Sequence, residues 1–153
     1  MLPPGGPVYL LGGPGALSRD VENAVNAAGY SAVRLEGADR DSTALAVVGA
    51  LGDPGTIVLT TGQNFPDALA AGAAAAHLGA GILMTDGPTL SPEVANYLKA
   101  HPGDTVYAIG GPAAAADPAA TAIVGADRYD TAVRVAQTLL TTTPLSSPGS
   151  SLS

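Results

Sequence analysis

The chain has no cysteine and no tryptophan, one phenylalanine and one lysine, Lys99. Without cysteine there are no disulfides and no thiol catalysis, and a structural zinc site is disfavoured. Aromatics make up only 4% of residues, too few for platforms on which nucleic-acid bases stack. Basic residues are scarce as well, six Lys+Arg against thirteen Asp+Glu for a net charge of −7. A nucleic-acid partner needs a basic stripe that releases counterions, so none is expected. Long apolar runs are also missing. The longest, Ala68 to Ala76, stops at His77 and is too short to span a bilayer, so no membrane insertion is expected. Residues 1 to 7 lack the basic start and apolar stretch of a signal peptide, so a secretion signal would have to lie elsewhere.

What is present describes a globular domain. The 153 residues are 46% hydrophobic, enough for one domain with a real core. Five apolar or β-branched runs recur: Val8 to Leu11, Ser31 to Leu35, Thr56 to Thr60, Gly81 to Met84 and Thr105 to Ile109. Each is followed by turn residues and a segment of helical length, the pattern of βα units with a parallel sheet. The runs are continuously apolar rather than alternating, as in strands covered on both faces. The expected fold is therefore a doubly wound α/β domain, with a parallel sheet of about five strands and helices on both faces.

Punctuation residues sharpen this reading. Ser18, Ser91-Pro92 and Asp117-Pro118 read as helix starts, and Gly29 as a left-handed helix end. Asp53-Pro54-Gly55 and Asp86-Gly87-Pro88 read as turns. Residues 141–153, rich in Ser, Thr and Pro without periodicity, read as a disordered tail after a domain over 1–140. The chain also repeats itself. Val-Tyr-Leu-Leu-Gly-Gly-Pro at 8 to 14 returns as Val-Tyr-Ala-Ile-Gly-Gly-Pro at 106 to 112, and Gly-Ala-Asp-Arg at 37 to 40 returns at 125 to 128. Two markers recurring in one order indicate a tandem array.

Signs of catalysis are thin. Gly12-Gly13-Pro14-Gly15 could bring backbone amides to a phosphate. The dinucleotide fingerprint fails, however, with Ser18 where its third glycine should be, and no Gly-Lys-Ser/Thr follows. His77 and His101 lack metal-ligand spacing, and there is no Gly-x-Ser-x-Gly elbow. Neither a cofactor nor a metal is expected. The Asp-Arg pairs say more. Asp39 and Asp127 suit N-caps, but this puts Arg40 and Arg128 at the first helical position, where the macrodipole disfavours a cation. Two such arginines point to an anion, either an internal carboxylate such as Asp67 or an external ligand. In Gln63-Asn64-Phe65-Pro66-Asp67, Asn64 reads as the N-cap of an alanine helix, Pro66 suits its first turn, and Asp67 lies at its positive end.

Together, Thr56 to Ala76, Gly81 to Ser91, Val106 to Ala114 and Gly125 to Leu140 closely resemble the cell-wall-binding type 2 repeat family. In that frame the chain holds the end of one repeat (8–35), a full repeat (36–124) and the start of a third (125–140). The resemblance implies a Rossmann-like or toprim-like fold in modules that associate in threes. It also implies secreted proteins of Gram-positive cell surfaces, held without catalysis by anionic wall polysaccharide or teichoic-type polymer. The family's anchoring motif falls on Gly81 to Met84, which adds Ile82 and Leu83 to the expected polymer-binding residues Arg40, Arg128, Asn64 and Asp67. Tyr129 joins them because Arg128-Tyr129 keeps the family's pattern. Because the protein is itself acidic, local arginines or bridging divalent cations would have to hold a polyanion. Two other readings are a small-molecule or nucleotide-binding α/β enzyme and a purely structural assembly module.

Overall fold

A computed structural model describes residues 5–63 and 65–140, the Phe65 side chain excepted. Among the described residues, six strands alternate with six helices. They are β1 (Pro7–Leu11), α1 (Arg19–Ala27), β2 (Ser31–Leu35), α2 (Arg40–Ala50), β3 (Thr56–Thr61), α3 (Phe65–Leu78), β4 (Gly81–Thr85), α4 (Pro92–Ala100), β5 (Thr105–Ile109), α5 (Gly111–Ala116), β6 (Thr121–Ile123) and α6 (Arg128–Leu139). Every strand pairing is parallel, and the α/β class with helices on both faces of the main sheet is as expected.

The strands divide differently from the expectation of one sheet. β4-β3-β5-β6 form the main sheet, while β1 and β2 pair only with each other. Both edges of β3 are taken, by β4 and β5, and α2 packs against β4 as well as β2, so it stands between the two sheets. β6 is the strand that sequence reading missed. Asp117 does not start a helix. It ends the six-residue α5, and its Oδ1 accepts a hydrogen bond from the Ala119 amide at 3.1 Å, turning the chain into β6.

The main sheet is buried on both faces. Val58, Ile109 and Ile123 pack against Ala71, Ala74 and Ala75 of α3 and Val135 and Leu139 of α6. On the opposite face Ile57, Leu59, Leu83 and Ala108 meet Val48 of α2, Val94 of α4 and Ala113 of α5. Alanine and glycine make α3 a close-packing helix: methyl groups lose no rotamer freedom and let the helix approach its neighbours. It stops at Gly79, whose φ of +62° suits a left-handed C-cap, and the Ala80 amide reaches back to the Ala75 carbonyl at 2.9 Å. The β1–α1–β2 unit is tied by Arg34, which donates to the carbonyls of Gly12 and Leu17 and pairs with Glu22 at 2.9 Å.

Candidate functional site

β3 leads into α3 on one face of the main sheet, and β5 leads into α5 on the other. The carboxyl ends of these two adjacent strands thus form the topological switch point, where an open parallel sheet leaves a crevice. Asp67, in the first turn of α3, projects across it to the start of α5. A Cβ at Gly110 would lie 2.5 Å from Asp67 Oδ2, and Gly110 has a φ of +89°, so only glycine fits there without strain. The far wall is the start of α6. Asp127 caps that helix, its Oδ1 accepting from the amides of Tyr129 and Asp130, both at 2.9 Å. Asp130 accepts from the Ala126 amide and from Arg134 Nε, which holds its carboxyl below the ordinary carboxylate range. Gly125 packs against the Thr131 amide with no room for a side chain.

The result is a cleft of about 350 Å³ lined by Pro66, Asp67, Gly110, Gly111, Arg128 and Thr131, among others. Arg128 is the first residue of α6, and since Asp127 already holds the Tyr129 and Asp130 amides, its guanidinium is the group in the cleft that favours an anion. Its guanidinium lies 5.9 Å from the ring centre of Tyr129, which is 74% exposed. Partial burial pushes the Asp67 carboxyl above its ordinary value of 3.8, and the positive charge of Arg128 offsets part of that rise.

The first Asp-Arg motif lies elsewhere. Asp39 caps α2 in a capping box with Ser42, and hydrogen bonds from Ser42 lower the Asp39 pKa. Arg40 Nη1 donates to the Gly62 carbonyl at 3.0 Å, and the guanidinium stands 3.9 Å from both Asp41 and Asp86. Gln63 Nε2 in turn donates to Asp86 Oδ1 at 2.7 Å. Asp67 therefore belongs with Arg128 and not with Arg40, which meets internal acceptors. Sequence reading missed Gly62 and Asp86, because only the fold brings the turns after β3 and β4 to the start of α2.

The remaining expected residues are dispersed. Leu83 is fully buried in the core between the main sheet and α2 and α4, so it has no surface to offer a ligand, whatever the motif it belongs to. Ile82 points to the opposite face of β4 and lines an apolar groove beside α2 and α3. Asn64 lies outside the described residues. Among the described residues no group of three or more His, Cys, Asp or Glu could hold a metal ion, and no helix is long and apolar enough to cross a membrane.

Comparison with known proteins places the chain in a family, by a match that ends before α6. The model of cell wall binding domain 2 (CWB2) matches residues 34–119. The N-acetylmuramoyl-L-alanine amidase LytC of Bacillus subtilis is 28% identical over 138 residues, 86% of this chain but only 28% of that protein. Among solved structures, Cwp8 from Clostridium difficile has a TM-score of 0.70 and 27% identity, covering 86% of this chain and 24% of its own. Cwp6 from the same organism has a TM-score of 0.77 at 20% identity, covering 88% and 24%, and its likeness bears on the fold. The chain spans about a quarter of the proteins it matches.

Proposed function

Since this chain belongs to the cell wall binding domain 2 family, we propose that it is a non-catalytic module holding a secreted protein to an anionic secondary polymer of a Gram-positive cell wall. The observation that carries the proposal is Arg128 at the first position of α6, at the switch-point crevice of the sheet. There the guanidinium faces the cleft, and an anionic group of a polymer can take charge-assisted hydrogen bonds from it, while the Tyr129 and Asp130 amides beside it are already held by Asp127. The net charge of −7 works against a polyanion at long range, so binding rests on such local contacts. Tyr129 supplies an exposed ring next to the guanidinium, a flat apolar face of the kind a sugar ring can cover.

Arg40 is the weaker contact. It stands among Asp39, Asp41 and Asp86, and its guanidinium already has a carbonyl acceptor. The amidase for which the Bacillus relative is named is no part of this proposal.

Cosedimentation with purified cell walls tests it, using walls before and after chemical removal of their secondary polymers. Retention on intact walls and release from stripped ones is the expected result. Equal retention on stripped walls would move the ligand to the peptidoglycan itself.

A further inference from the structure

The chain builds one β–α–β–α unit twice. Tyr9 pairs with Val33 as Tyr107 pairs with Thr121, and Leu11 pairs with Leu35 as Ile109 pairs with Ile123. The Gly12 amide bonds the Leu35 carbonyl at 2.8 Å, as the Gly110 amide bonds the Ile123 carbonyl at 3.0 Å. Gly37 and Gly125 donate to Thr43 and Thr131 in the same way, each at 3.0 Å. Both glycines before the first helix, Gly12 and Gly110, have positive φ.

The two units are nevertheless covered on different sides. In the second, β3 pairs along β5, and α3 covers the Thr131, Val135 and Leu139 face of α6. The same positions of the first unit are less covered, Thr43 and Val47 half-buried and Leu51 exposed. Leu11 is 53% exposed where Ile109 is fully buried, and Leu51 is 57% exposed where Leu139 is 7%. Thr43, Val47 and Leu51 instead form one wall of an apolar groove of about 820 Å³. Its opposite wall is the small-residue side of α3, at Gly72 and Ala76. Conversely, Ala44, Leu45 and Val48 of α2 lie in the core against the main sheet, while their counterparts in α6, Ala132, Val133 and Ala136, are exposed, Val133 at 51%. Each of these helices therefore has two apolar faces, and each copy has one of them covered.

From this we infer that the open edge of β1 and the Thr43–Val47–Leu51 face take the β3–α3 half of a sister repeat, in the register in which β3 and α3 cover β5 and α6. The occupant is a parallel strand followed by a helix of small residues, because the groove is walled by α3 itself and admits only a close-packing helix. An intact second copy of this chain does not fit, since both edges of its β3 are already paired. The first unit is then a shared hinge between successive repeats, closing the sheet before it and covering the sheet after it with α2. The inference is independent of what the cleft binds.

The test adds a second copy of residues 53–104 directly ahead of Pro7, so that it enters β1 as Asp104 enters β5. A cysteine introduced by Leu51→Cys is labelled by a thiol reagent in the chain with and without the addition. Docking slows labelling by roughly tenfold or more, since reaction then requires local opening. Val47→Asp in the extended chain restores fast labelling. Equal labelling rates in the two chains, with the added segment digested by protease, would overturn the inference. A second measurement uses the chain as it stands. Leu51→Asp leaves its melting temperature nearly unchanged, while Leu139→Asp at the covered counterpart lowers it sharply. Equal losses from both would mean that the face is already occupied, and the inference falls.

Discussion

The carboxylate of Asp67 occupies the space that a side chain at Gly110 would need: a Cβ there would lie 2.5 Å from Oδ2. This contact joins the start of α3 to the corner between β5 and α5, and so fixes the width of the cleft in which Arg128 stands. Gly110→Ala is expected to lower stability by about 1–3 kcal/mol, from positive-φ strain and overpacking together. Urea denaturation measures it. Gly111→Ala is the control, since a Cβ there meets nothing within 4 Å, and it should unfold near the wild-type midpoint.

A capping acid at the start of α3 reads as stabilising from sequence. Its surroundings reverse the sign. Burial raises the Asp67 pKa above 3.8 in the folded state, with Arg128 opposing. A raised carboxyl favours folding below its unfolded pKa and loses that contribution as pH rises through the folded value. Asp67→Asn should therefore match or exceed wild-type stability at pH 7, with the difference vanishing as pH falls below about 4. Melting curves across that range check it. A large loss of stability at neutral pH would show that the capping role outweighs desolvation.

Arg40→Gln removes a hydrogen bond to the Gly62 carbonyl and a charge 3.9 Å from Asp86. Since Arg40 is about half exposed, the expected loss is below about 1 kcal/mol. Wall binding should change little, because the anion contact is assigned to Arg128. Strong loss of binding with an unchanged melting temperature would reassign the site to the first Asp-Arg motif.

Asp127→Ala removes the acceptor for two amides of α6 and should destabilise the chain by about 0.5–2 kcal/mol. It should also loosen Arg128, so binding weakens with it. Amide exchange at Tyr129 and Asp130 reports the cap directly, and unchanged protection there would contradict its role.

How much of this was legible beforehand follows from the range of each interaction. The caps at Asp39, Ser91 and Asp127 act over three residues, and sequence spacing exposes them. The five longer strands carry their own apolar signal. β6 has three residues, Thr121–Ile123, and is a strand only because β5 offers it an edge. The division into two sheets was hidden for a related reason: it depends on α2 lying against β4, a contact no local pattern records. The site shows the same limit. Arginine at a helix start announces an anion without saying which. That Arg128 faces Asp67 while Arg40 meets Gly62 and Asp86 is decided by the path of the main sheet. Leu83 marks the opposite error, since a motif shared with a family can be a core strand here.

The most direct test of the account is calorimetric titration of purified secondary wall polymer into the wild-type chain and into Arg128→Gln, at low and at moderate salt. Loss of one charge-assisted hydrogen bond is worth about 1.5–3 kcal/mol, so the variant should bind about 10- to 100-fold more weakly. It should also lose part of its salt dependence while melting within a few degrees of wild type. Equal affinity and equal salt dependence in the two proteins would contradict the assignment of polymer binding to the switch-point cleft.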